Sequence, residues 1–280
     1  MSVEAGDIAA VWLNSALYSI RPSELLLVSD FDGTLAEIVP EPTLATPLPD
    51  SLHALRRLAP VLKKVVILSS RTNAELNGLI SVPGAVMIGD SGLPPPTPEE
   101  LHALKTFNAE AAKLLGTVPG AWIEIKPASS AVHFRNAPIS GLEVLAILQP
   151  LLDGTGLYGG LGRKVIEVHA SDAGKGNALE DLLTRLNPGG LVCMGDDEND
   201  RSVFDASSKA SIPHLCVGVG STEVPLDLFE HCDLVVDGPA EASAFLRSVA
   251  EWGTAGGWLD GSTQRRAEDR RRLGSNRRHP

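Results

Sequence analysis

Two hydrophobic patterns divide this chain, and each predicts a different kind of sheet. Unbroken apolar runs fall at 25–29, 65–69, 85–89, 191–195, 215–219 and 233–236. Runs of that length, bounded by turn-forming residues, suit strands buried on both faces of a parallel sheet. Stretches with helical character lie between them at about 50–60, 72–80, 176–186, 200–208 and 240–251. Strand and helix alternating through short connections predict an α/β fold, a Rossmann-like parallel-sheet core with helices on both sides.

The block from about residue 94 to 169 follows a different rule. It opens at the proline cluster Leu93-Pro94-Pro95-Pro96-Thr97-Pro98, stiff enough to act as a linker. Helices are expected at 99–115 and 140–152, strands at 122–126, 131–135 and 164–169, and a turn at Pro127–Ser129. All three strands alternate apolar and polar positions, so their sheet has one covered face. Ile123, Ile125, Val132, Phe134, Ile166 and Val168 are expected to point toward the two helices. Glu124, Lys126, His133, Arg135 and Glu167 are expected to point the other way. The block is therefore predicted to be an inserted, smaller α+β cap domain of αββαβ order, residues 94–169, within a core domain formed by 1–93 and 170–260. A charged sheet face is ordinarily just the wet side of an antiparallel sheet. Both signs of charge, in a block inserted into an α/β core, favour a lid over a polar ligand.

Composition narrows the functional classes. At 280 residues the chain can bury a real core in one large or two modest domains. Its formal charge is −11, but residues 261–280 hold seven arginines against Glu268 and Asp269, about +5, which leaves about −16 on the body. An acidic body argues against general nucleic-acid binding, whose footprint is a basic face. The Arg-rich tail, Gln264 to Pro280, is apolar only at Ala267 and Leu273 and is expected to be disordered. Cys193, Cys216 and Cys232 show no metal spacing and no disulfide framework, so buried reduced thiols are expected. The first residues, Met1 to Asp7, lack the features of a signal peptide, and no segment reaches the about 18 apolar residues of a membrane helix. A soluble, cytoplasmic protein is expected, with no membrane or nucleic-acid partner; oligomeric state is left open.

Four short segments carry the candidate chemistry. In Leu25-Leu26-Leu27-Val28-Ser29-Asp30-Phe31-Asp32-Gly33-Thr34, an apolar strand stops at two carboxylates, a glycine and a hydroxyl. Asp and Gly also favour simple turns. Ligand and catalytic groups of parallel sheets, however, gather just beyond the strands' carboxyl ends. Two acids there repel unless a cation or a shared proton lies between them. A divalent metal resolves the conflict and leaves one carboxylate usable as a nucleophile. Val65-Val66-Ile67-Leu68-Ser69-Ser70-Arg71 ends a second strand in a hydroxyl and a guanidinium, suited to a phosphate oxygen. Ala173-Gly174-Lys175-Gly176-Asn177 places a lysine at the start of a helix, where an anion could sit, without the spacing of a Walker loop. Leu191-Val192-Cys193-Met194-Gly195-Asp196-Asp197-Glu198-Asn199-Asp200 closes a further strand with four acids in five residues. Buried carboxylates must be paired or bind metal. A metal held between Asp30 and Asp196 is the economical explanation, and an all-oxygen donor set favours magnesium over zinc.

The order Asp-x-Asp-Gly-Thr, Ser, Lys, Gly-Asp-Asp-x-x-Asp resembles the haloacid dehalogenase superfamily of phosphohydrolases. Ile123-Glu124-Ile125-Lys126, then Ser130-Ala131-Val132-His133-Phe134-Arg135, then Lys164-Val165-Ile166-Glu167-Val168 before Gly174-Lys175-Gly176 are similar to the trehalose-6-phosphate phosphatases within it. The likeness covers about residues 24 to 250. It implies that Asp30 attacks phosphorus to form an aspartyl-phosphate, and that Asp32 protonates the leaving sugar oxygen and later deprotonates water. It implies that Thr34, Ser69 and Lys175 hold the phosphoryl group. It implies Mg2+ on the Asp30 carboxylate, the Asp32 main-chain carbonyl and Asp196, with Asn199 or Asp200 in direct or water-mediated support. Glu124, Lys126 and Glu167 would reach sugar hydroxyls, joined by His133 and Arg135. The expected substrate is a small sugar phosphate, trehalose 6-phosphate first.

Two departures leave the sugar open. The family's His-Gly pair after the third strand is replaced by Gly89-Asp90-Ser91-Gly92, and its Thr-Asp-Glu by Asn199-Asp200-Arg201. Another glycosyl or pseudo-disaccharide phosphate, a sugar phosphomutase, and a non-enzymatic sugar-binding protein are the alternatives.

Overall fold

The computed structural model describes residues 5–255 apart from Arg163, Asp172 and Glu223. The chain runs α1 (Ala5–Asn14), β1 (Leu25–Ser29), α2 (Pro49–Leu58), β2 (Lys64–Leu68), α3 (Asn73–Leu79), β3 (Val86–Ile88), α4 (Pro98–Leu115), β4 (Trp122–Ile125), β5 (Ser129–His133), α5 (Gly141–Leu152), β6 (Tyr158–Gly162) and β7 (Val165–His169). It continues through α6 (Lys175–Leu186), β8 (Gly190–Gly195), α7 (Glu198–Ser208), β9 (His214–Gly220), β10 (Leu234–Asp237) and α8 (Gly238–Gly253). The expected fold class holds: a Rossmann-like parallel sheet with a smaller α+β sheet inserted. The Arg-rich residues 261–280 lie outside the described residues.

Among the described residues the large sheet has six strands in the order β10-β9-β8-β1-β2-β3, every pair parallel. Leu25 and Leu27 join the core under α1, α2 and α8, whereas Leu26 and Val28 join the core under α6 and α7. Burial on both faces is what the unbroken apolar run required. Chain order reverses beside β1, which has β2 on one side and β8 on the other. Such a switch point opens a crevice at the strands' carboxyl ends. The register pairs Ser29 with Met194, so Asp30 and Asp196 leave the sheet side by side.

The smaller sheet is antiparallel in the order β4-β5-β7-β6. Val132, Ile166 and Val168 bury one face against α4 and α5, each helix started by a capping box at Thr97 or Ser140. Three expectations need correction here. The module carries a fourth strand, β6, whose Tyr-Gly-Gly-Leu-Gly sequence hides strand character because glycine weakens the pattern. β5 spans Ser129–His133 rather than 131–135, so Phe134 and Arg135 lie beyond its end. Ile125 is 68% exposed, because it ends an edge strand beyond the reach of the covering helices.

One helix was not anticipated. α1 places Ile8 and Trp12 on one face, and Trp12 meets Trp252 and Phe245 of α8 edge-on, with centroids 5.0 and 6.1 Å away. Its single pair of core residues gives too short a periodicity to notice in sequence. Cys193 and Cys216 are buried neighbours on β8 and β9 with sulfurs 3.2 Å apart, and Cys232 is half-buried, all three free thiols. No helix among the described residues is long and apolar enough to cross a membrane.

Candidate active site

Three carboxylates converge at the switch point. Asp30 follows β1, Asp196 follows β8, and Asp200 sits in the first turn of α7; all three are buried, with ligand oxygens within 4.8 Å of one another. Lys175, the first residue of α6, is buried among them and donates from Nζ to Asp30 Oδ1 at 2.6 Å and to Asp200 Oδ1 at 2.8 Å. Asp200 Oδ2 accepts the backbone N–H groups of Asp196 and Asp197. Both Asp200 oxygens are thus occupied in fixing Lys175 and the Asp196 loop. Asp30 N–H donates to the Met194 carbonyl, which ties the two acidic loops together.

Burial and mutual repulsion dominate the electrostatics of this cluster. Burial raises the Asp30 carboxyl to about 8; Lys175 opposes the rise, while Asp200 and Asp32 add to it. Burial, then the charges of Asp30 and Asp200, holds Asp196 well above the usual carboxylate range. Burial alone would depress Lys175, but Asp200 and Asp30 outweigh it and keep the ammonium charged. Four buried groups carry one fixed positive charge between them. A hard divalent cation would relieve the remaining repulsion and return Asp30 to its ionised form, so the donor set fits magnesium.

The backbone is shaped for this convergence at Gly33. Its φ is +78°, and a Cβ there would lie 2.0 Å from Asp196 Oδ2, so only glycine lets the two loops meet. Thr34 is fully buried and its hydroxyl has no hydrogen-bond partner among the described residues, an unsatisfied group of the kind that awaits a ligand. Ser69, just past β2, is also buried and lies in the same loop layer, its Oγ accepting from the Arg71 N–H.

Asp32 points away from that cluster. Arg71 grips it in a bidentate ion pair, Nε to Oδ2 at 2.6 Å and Nη2 to Oδ1 at 2.7 Å. Arg71 is itself nearly buried, with its guanidinium 5.7 Å from the Phe31 ring centroid. A planar fork of this kind fixes both the position and the orientation of a carboxylate.

The polar face of the smaller sheet lies across the crevice. Glu124 and Glu167 flank Ala131 on neighbouring strands, so they share one face. His133 Nε2 meets Glu124 Oε2 at 2.9 Å, and that bond, with help from Lys126, holds the Glu124 carboxyl below its usual range against the effect of burial. Lys126 reaches across to the core and donates to the Ser70 carbonyl at 3.1 Å. Arg135, exposed beyond the end of β5, lines the outer rim.

Two cavities occupy the crevice, with Lys164 and Glu167 lining both. A cavity of about 710 Å³ lies on the side of Lys175, Asn199 and β6; one of about 210 Å³ lies on the side of Asp32, Arg71, Glu124 and His133. Asn199 lies beside β6 together with Asp197, its Nδ2 3.3 Å and the Asp197 Oδ2 3.1 Å from where a Gly162 Cβ would stand. The start of α7 and β6 approach closely at that point because Gly162 has no side chain.

Arg71, Trp122, Lys164 and Asp90 lie outside the site residues expected from the sequence, although Arg71, Lys164 and Asp90 stand in the segments quoted for it. Trp122 had a signal available: it shares strand parity with Glu124 and Lys126. Lys164, with φ 62°, and Asp90, with φ 52°, hold left-handed backbone that no composition rule anticipates.

The profile of the family described as Trehalose-phosphatase matches residues 28–227. A trehalose-phosphate phosphatase of Mycobacterium ulcerans is 33% identical over 228 residues, covering 73% of this chain and 58% of that protein. A trehalose-phosphate phosphatase of Mycobacterium leprae is 32% identical over 216 residues, covering 69% and 50%. The chain therefore spans less than two thirds of the length of these curated relatives. In structure it is similar to the C-terminal domain of the C. albicans trehalose-6-phosphate phosphatase, with a TM-score of 0.71 at 18% identity, covering 89% of this chain and 97% of that one.

Proposed function

The chain belongs to the trehalose-phosphatase family, and from that premise we propose that it hydrolyses a sugar phosphate, first among them trehalose 6-phosphate, to the free sugar and inorganic phosphate. The observation that carries this reading is the buried set of Asp30, Asp196 and Asp200 around Lys175 at the sheet's switch point. Asp30 attacks phosphorus, the bond to the sugar oxygen breaks, and Asp32, which first leaves its ion pair with Arg71 and takes up a proton, gives that proton to the oxygen. Asp32 then takes a proton from water as the water attacks the aspartyl-phosphate, releasing phosphate and restoring Asp30. Lys175, Thr34 and Ser69 hold the phosphoryl oxygens through both steps. A magnesium ion held by Asp30, the Asp32 main-chain carbonyl and Asp196, with Asp200 or Asn199 in support, would supply positive charge against those oxygens.

Residues 94–169 serve in this reading as a cap over the core of residues 1–93 and 170–260, excluding water when closed. Glu124, Lys126, His133, Arg135 and Glu167 supply its sugar contacts. Glu167→Ala is accordingly expected to lower turnover of the true sugar phosphate at least about tenfold more than that of a small aryl phosphate. Equal losses on both substrates in steady-state kinetics would show that the cap face does not contact sugar.

Arg71 acts through Asp32. With Arg71→Met, the first, phosphorylating turnover on a sugar phosphate is expected to slow about 10²-fold, whereas the 4-nitrophenol burst from 4-nitrophenyl phosphate, whose leaving group needs no proton, loses far less; the water step, which uses Asp32 with either substrate, slows equally for both. Equal losses in the phosphorylating step would reduce Arg71 to a structural role.

The function itself is tested by phosphate release across a panel of sugar phosphates that includes trehalose 6-phosphate and glycosyl phosphates, with magnesium and with chelator. Magnesium-dependent release from trehalose 6-phosphate well above that from the others is expected. Release from none of the panel refutes the reading.

A further inference from the structure

Among the described residues the polar face of the smaller sheet carries two large exposed aromatics, Trp122 at the start of β4 (50% exposed) and Tyr158 at the start of β6 (47%), of which Trp122 lines the cavity on the Asp32 side. Trp122 is paired across the strands with His133, and the two rings stack with centroids 4.2 Å apart and planes 17° from parallel. His133 is in turn held by Glu124. Trp122 is thus pre-oriented by its neighbours, and it lines the smaller cavity together with Asp32, Arg71 and Glu124.

That placement has a consequence for the substrate, resting on the function proposed above. The group that protonates the departing sugar oxygen is Asp32, so the sugar lies on the Asp32 side of the nucleophile. Its cavity is the smaller one. Glu124, Lys126 and Glu167 meet a first ring with hydrogen-bonding groups. Trp122 offers a flat, rigid surface instead, suited to the C–H face of a pyranose and costing little side-chain entropy. We infer that Trp122 is the stacking floor for the outer ring of a disaccharide phosphate, and that it sets the preference for two-ring over one-ring substrates.

The test compares kcat/KM for trehalose 6-phosphate and glucose 6-phosphate in the full chain, in Trp122→Ala and in Trp122→Phe. Trp122→Ala is expected to shrink the two-ring to one-ring ratio about tenfold, mainly through KM for the disaccharide, because stacking holds ground state and transition state alike. Trp122→Phe, which keeps an aromatic face, is expected to retain most of the ratio. A ratio unchanged in Trp122→Ala, or losses equal on both sugars, overturns the inference while leaving the phosphatase reading intact. A wild-type protein that prefers neither sugar phosphate to an aryl phosphate overturns that reading and this one with it.

Discussion

Asp30→Asn is expected to reduce phosphate release about 10⁴-fold or more while leaving the protein folded, as phosphate assay and circular dichroism would show. Loss of a covalent nucleophile removes a whole pathway rather than one contact, so effects of this size are ordinary. Phosphate monoesters are among the slowest biological substrates to react unaided, with enzymatic accelerations approaching ~10²¹, so little background rate would mask the loss. The fold should survive because asparagine keeps the shape of aspartate and Lys175 keeps its bond to Asp200. Removing one of three mutually repelling acids also relieves the repulsion that raises Asp196. A variant with near-normal activity would mean that another group attacks phosphorus.

Lys175→Met is expected to cost both activity and stability. Phosphate release should fall about 10³-fold, since the charge that would face the phosphoryl oxygens is gone. Stability at neutral pH with chelator should drop by about 3 kcal/mol, because Asp30, Asp196 and Asp200 would remain buried without their ammonium. Urea unfolding measures the difference directly. A divalent cation binds only the assembled cluster, so adding magnesium should recover part of the lost stability in proportion to its occupancy. Unaltered stability in the chelated variant would show that Lys175 does not compensate the acids.

Much of the core was legible in the sequence because its strands are buried on both faces. The run Leu25 to Ser29 splits alternately between two helical layers, and only a parallel α/β sheet asks that of a strand. The acidic motifs were legible for a related reason: one strand ending in acids can be a simple turn, but Asp30 and Asp196 end two such strands beside a lysine motif. What escaped was less regular. β6 is written in glycines that let it pass close to Asn199, so the signal for a strand was lost to the demands of that contact. The Asp32–Arg71 pair joins residues 39 positions apart, and nothing in either local segment announces it. The outer edge of the smaller sheet was legible in parity but not in extent: Trp122, which shares the parity of Glu124, was left off the polar face, and Ile125 was wrongly counted as covered.

Acid quenching during turnover of trehalose 6-phosphate with magnesium, followed by peptide mass spectrometry, addresses the shared premise of these expectations. The mass of one phosphoryl group should appear on the peptide containing Asp30, and should be absent both in Asp30→Asn and after chelation. A phosphoryl group found on another residue, or full turnover with Asp30 never labelled, would contradict the assignment of Asp30 as the group that accepts phosphate.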